Sequence, residues 1–192
     1  MFETFKVSPF GAMHTLISLI AVGAGIVSLV RFREIAPKRP AGWIYVVATV
    51  FTCVTGLAIF HHGGFGKPHA LAIITLIVLC VAAIGGGTNV FGSLSKYVET
   101  VGYSLTFFFH LIPAVNETAT RLPLGAPLAA SPEDPALQIV AGLLFLGFLA
   151  GAGLQVRRLR HDAVPTILVP RPSLAPSREL RNTTTIGRVS SS

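Results

Sequence analysis

Charge is what this chain has little of. Asp, Glu, Lys and Arg make up 12% of its 192 residues, against 52% hydrophobic residues and a mean hydropathy of +0.69. An average soluble domain is about 25% charged, so the polar groups needed to cover a water-facing surface are lacking and a soluble globular protein is excluded. Cysteine is scarce too. Cys53 and Cys80 can make at most one pair, which excludes the multi-bridge framework of a small secreted domain. There is no HExxH, no CxxC and no paired carboxylates within an apolar stretch, so the usual hydrolytic and structural zinc patterns are absent. Composition reveals no reaction.

What the chain does have is long apolar runs. Stretches without Asp, Glu, Lys or Arg lie between Lys6 and Arg31, Arg39 and Lys67, Lys67 and Lys96, Glu99 and Glu117, and Asp134 and Arg157. A span needs roughly 20 residues to cross about 30 Å of hydrocarbon. The runs are continuous and lack the alternation of a barrel wall, so they predict helices. The reading is an all-α, polytopic helix bundle in the lipid bilayer, with five spans near residues 8–30, 42–61, 69–92, 97–115 and 136–156. Pro and Gly punctuate the connections at Pro37, Pro40, Gly63, Gly64, Gly66, Pro68, Pro123 and Pro127. Pro113 falls inside the fourth span, where it is expected to kink or end the helix.

Lys and Arg set the expected orientation. Twelve of them fall on one side, in the 30s loop (Arg31, Arg33, Lys38, Arg39), at Lys96, and from Arg157 to Arg188; only Lys6, Lys67 and Arg121 fall on the other. This predicts an extracytoplasmic N-terminus and a cytoplasmic C-terminus in a bacterial inner membrane. The net charge of +7 is then explained by insertion and by the anionic inner leaflet. Nucleic acid is not an expected partner, because no basic helix with interleaved aromatics is present. Residues 1–161 form the expected membrane domain. Residues 162–192, rich in Pro, Ser, Thr and Arg, read as a disordered cytoplasmic tail that cannot bury enough apolar area to fold.

Five of the six histidines, His14, His61, His62, His69 and His110, fall in the extracytoplasmic half. An ionisable group inside a span is a candidate functional residue. His14 and His110 are expected at equal depth, roughly 8 to 9 Å below the outer edge. Neutral imidazole ligates both transition metals and haem, and helix bundles build such sites from facing helices. The candidate ligands are His14, His62, His69 and His110, for a transition metal ion or for a single haem b held by His14 and His110. Structural roles stay open beside these, since interfacial histidines are tolerated and a buried one can bridge helices by a hydrogen bond.

Glu99, Tyr103, Thr106 and His110 follow steps of four, three and four, which place them on one helical face. Such a row is a candidate proton path in a small proton-linked transporter. Gly147 and Gly151 form a GxxxG spacing that suits close helix packing, within the bundle, against a second copy, or against a partner if the chain is an accessory or assembly subunit. Gly85, Gly86 and Gly87 are expected to loosen the third helix, and Cys53 and Cys80 to be buried thiols near mid-membrane.

At Arg39-Pro40-Ala41-Gly42-Trp43-Ile44-Tyr45, then Gly56, Gly63-Gly64 and His69-Ala70-Leu71, the chain resembles a bacterial family of multi-span membrane proteins, the domain of unknown function 2306 family. That family's pattern reads His-Arg-x-x-Gly-x-x-Tyr at the entry to the second span, and Lys38 stands here where its histidine is expected. The resemblance implies a bacterial inner-membrane protein and assigns no chemistry.

Overall fold

A computed structural model describes residues 9–59, 64–123 and 126–162. Its elements are α1 (Pro9–Phe32), α2 (Pro40–Leu57), α3 (Lys67–Gly87), a 3-10 turn (Gly92–Leu94), α4 (Ser95–Arg121) and α5 (Pro135–Asp162), with no strand among the described residues. All five α-helices are long and apolar enough to cross a membrane. The all-α, five-helix expectation holds. His61, His62 and residues 163–192 lie outside the described residues.

Proline opens three helices, at Pro9, Pro40 and Pro135, where the missing N–H has no helical partner to lose. The Asp134 carboxylate accepts the Ala136 N–H at 2.9 Å and caps α5. α4 does not end at Pro113; it continues two turns to Arg121. Those turns are held by the Arg121–Glu117 ion pair, by Thr118 and Thr120 hydroxyls on the carbonyls four residues back, and by the following loop. That loop returns Ala129 to α4, where Ala119, Ala129 and Leu137 form a small core of their own.

α4 is central. It packs against α3, α5 and, more lightly, α1, while α1 pairs with α2 and α2 with α3. The main core joins Ile35, Tyr45, Leu79, Ala82, Tyr103 and Phe107. Small residues set the approach of α3 to α4: a Cβ on Gly85 would meet the Ser95 carbonyl oxygen at 3.0 Å, one on Gly102 would meet Ala82 Cβ at 2.8 Å, and one on Gly86 would run into the Glu99 carboxylate. Gly85 and Gly86 therefore do not loosen α3; they let the two helices touch. Gly87 is the last residue of α3, which Thr88 closes through its N–H to the Ile84 carbonyl at 2.9 Å.

α5 is the peripheral helix. Phe148 stacks on Phe108 of α4 and Phe145 meets it tilted, and Gln155 accepts from Ser104. A Cβ on Gly142, Gly147, Gly151 or Gly153 would meet nothing within 4 Å, so the GxxxG pair is not used within the described bundle. Cys53 is buried and Cys80 is exposed, the second contrary to expectation: Leu79 and Ala82, on either side of it, are the residues α3 buries there.

The arginine-rich end, with Arg31, Lys96 and Arg158, is called the basic end below. If it is cytoplasmic, as the charge asymmetry requires, a reporter fused after Arg160 will report the cytoplasm and one inserted at Ala129 the outside. Two reporters on the same side would contradict the orientation.

Candidate functional site

The four residues spaced along α4 are all buried: Glu99 is 7% exposed, Tyr103 2%, Thr106 0% and His110 7%. The polar face of α4 is thus turned inward, and Phe107 and Phe108 beside it are buried as well. Each member has identifiable partners. Glu99 accepts from Lys96 Nζ at 2.9 Å and lies over Gly86. Tyr103 follows one turn further along the same buried face.

The next step brings in a residue the spacing did not point to. Tyr45 of α2 is fully buried and its phenol meets Thr106 Oγ1 at 2.8 Å. Thr106 gives its own proton to the Tyr103 carbonyl at 2.8 Å, so Tyr45 donates and Thr106 accepts. Tyr45 also packs its ring 6.0 Å from that of His110. Sequence signalled Tyr45 only through the Gly-x-x-Tyr resemblance.

His110 Nδ1 is 3.2 Å from the Thr106 carbonyl. A carbonyl only accepts, so Nδ1 carries the proton and Nε2 presents a lone pair. That Nε2 is buried and has no hydrogen-bond partner among the described residues. His14 of α1 is held in the same manner. Its Nδ1 is 2.8 Å from Thr55 Oγ1, and Thr55 gives its proton to the Phe51 carbonyl at 2.7 Å. His14 therefore donates through Nδ1 and also keeps Nε2 as an acceptor.

Along the helix axes, the backbone positions of the two histidines are not at equal depth. A Cβ on Gly25 of α1 would meet Phe107 at 2.5 Å and Tyr45 at 3.2 Å, while one on Gly56 of α2 would meet His14 at 3.2 Å. Along α1, His14 stands eleven residues from Gly25; along α4, His110 stands only three from Phe107. The difference of eight residues corresponds to ~12 Å of axial offset. The equal-depth expectation placed the end of α4 near Pro113, and the helix runs on past it. Two histidines on one haem iron bring their nitrogens within about 4 Å of each other, and a backbone offset of that size does not support such a pair. Along their helices, His14 and Glu117 both lie beyond His110 toward the end opposite the arginine cluster.

His69 sits elsewhere, at the start of α3. Its Nδ1 accepts the Gly66 N–H at 3.2 Å and its ring lies 5.4 Å from Phe65, so it closes the first turn of its own helix. No three His, Cys, Asp or Glu side chains come together as a metal-binding group among the described residues. Of the expected ligands, His14, His69 and His110 form no such group, and His62 lies outside the described residues. Compared with family models, curated proteins and solved structures, the chain gives no match.

Proposed function

We propose that this membrane protein moves protons across its bilayer along the buried face of α4, as the proton path of a small proton-linked transporter in a bacterial inner membrane. The observation that carries this reading is the burial of Glu99, Tyr103, Thr106 and His110 on one helix in a chain with so few ionisable groups. Such residues within a span are costly and mark ion and proton pathways. From the basic end, Glu99 takes up the proton beside Lys96; Tyr103 and the Tyr45–Thr106 hydroxyl pair follow; His110 accepts at its bare Nε2; His14 and Glu117 lead to the opposite end. Water bridges the steps where side chains do not touch.

The resemblance to the domain of unknown function 2306 family accords with this reading at Tyr45, which belongs to the path. Gly42 and Arg39 of the same motif build the turn between α1 and α2. Gly42 lies against the Ala36 carbonyl, and Arg39 lies over the Phe32 ring at 4.2 Å.

The test is proton uptake by liposomes holding the full chain and a pH-sensitive dye, driven by a potassium diffusion potential. Uptake above protein-free vesicles is expected, with Glu99→Gln lowering it at least tenfold and Lys67→Gln, at the exposed Glu133 pair, leaving it unchanged. Uptake no faster than in protein-free vesicles would overturn the proposal.

A further inference from the structure

A second polar site lies at the basic end, beside the entry of the proton path, with which it shares Lys96. The residues after α1, the first two turns of α4 and the last two turns of α5 enclose a cleft of about 150 Å³. One water needs only ~10–15 Å³ on a comparable measure, so a tetrahedral oxyanion fits. Three cations from three elements line it: Arg33, Lys96 and Arg158. Three carboxylates offset them, Glu34 and Asp162 in the lining and Glu99 against Lys96, so the charges balance and the site rests on the donors that these pairs leave free.

The cations are positioned by the fold. Arg33 stands in the left-handed region at φ 62°, and its carbonyl accepts from Gln155 Nε2 at 2.9 Å. Gln155 spends its other end on Ser104, so it is a strut tying α5 to α4 and to Arg33. Arg158 donates to the Phe32 carbonyl at 3.2 Å and lies 3.9 Å from the Asp162 carboxylate, and Lys96 lies between Glu99 at 2.9 Å and Glu34 at 3.8 Å. The Arg33 guanidinium takes part in no ion pair among the described residues.

The wall also contains Thr100, 2% exposed, whose Oγ1 has no hydrogen-bond partner among the described residues. A buried hydroxyl without a partner is costly unless something supplies one. The amino end of α4, which begins at Ser95, adds the positive end of its helix dipole beside Lys96 and Thr100.

We infer that this cleft binds a phosphate group, with Arg33 and Arg158 as the charged donors and Thr100 as the neutral one. Its place at the basic end of membrane-spanning helices suits the headgroup of an anionic phospholipid, and inorganic phosphate carries the same chemistry.

The test uses the full chain purified in neutral detergent. Thermal stability is followed while phosphatidylglycerol or inorganic phosphate is titrated in. Saturable stabilisation by phosphatidylglycerol alone assigns the site to a lipid headgroup; saturable stabilisation by inorganic phosphate, competing with the lipid, assigns it to the free ion. Thr100→Val and Arg33→Gln should each weaken binding about tenfold, the scale of one hydrogen bond to a charged group, and Thr100→Ser should restore it. Arg33 is exposed, so its variant tests the site even if Thr100→Val folds poorly. Stabilisation by neither ligand, or binding by both variants as tight as by the unaltered chain, would overturn the inference. Either result is read from ligand binding and not from proton uptake, so failure of this inference and failure of the proton path are told apart.

Discussion

Replacing His110 with leucine is expected to lower proton flux about a hundredfold or more, the scale on which a positioned proton-transfer group acts, while leaving the bundle's stability within about 1 kcal/mol of its original value. The two expectations come from the same geometry. His110 makes one hydrogen bond, to the carbonyl one turn back, and buries an Nε2 that no described residue satisfies. Leucine has a similar volume and no polar atom to leave unpaired, so the fold loses little. The path loses its only imidazole in that stretch of α4. His110→Gln can keep a hydrogen bond to Thr106 but cannot pick up and release a proton, so it should be as inactive as the leucine variant. A histidine that served only to hold helices together would give the reverse: a clear drop in melting temperature for His110→Leu and unchanged flux. Both quantities are read on one preparation, by thermal unfolding in detergent and by dye-reported uptake in liposomes.

Replacing Gly42 with valine is expected to produce the largest loss of stability of any single change considered, about 3 kcal/mol, the upper part of the usual overpacking range. The Cβ would be driven into the Ala36 carbonyl, with the Ala36 carbonyl carbon at 2.5 Å and its amide nitrogen at 3.0 Å. These are backbone atoms in a short connection, held by the Arg39 N–H on the Ala36 oxygen at 3.0 Å and by buried Ile35. They cannot swing aside as a side chain would. Gly147→Ala is the control. Nothing lies within 4 Å of its Cβ, so it should change stability by less than about 0.5 kcal/mol. Thermal unfolding in detergent measures both, and a Gly42→Val protein as stable as the original would contradict the packing of the 33–39 turn on α2.

The spans were legible in the residues because hydrocarbon imposes a length and a composition at once, and every observed helix overlaps its predicted span. The inward face of α4 was legible for a similar reason: steps of four, three and four put Glu99, Tyr103, Thr106 and His110 in a row, and burial of a row so polar is the only arrangement that keeps it from lipid. What periodicity does not carry is how far one helix slides along another. The relative depth of His14 and His110 depends on Gly25 meeting Phe107 and Gly56 meeting His14, contacts between residues far apart in sequence. The continuation of α4 beyond Pro113 rests on a tertiary loop as well as on local bonds. Tyr45, Thr55 and Gln155 were missed as site or strut residues for the same reason, since each acts through a single hydrogen bond to another helix. The roles of the glycines followed the same division: Gly85 and Gly86 matter because of what faces them, and Gly147 and Gly151 face nothing described.

The most direct measurement is the reversal potential of the current through membranes containing the purified full chain, recorded as the pH on one side is changed with all other ions held equal. A path built from Glu99, Tyr103, Tyr45, Thr106, His110 and His14 predicts a reversal potential that follows the proton gradient, about 59 mV per pH unit for a single charge, and a current that disappears in His110→Leu. A current whose reversal potential ignores pH, or no current above that of protein-free membranes, would contradict it.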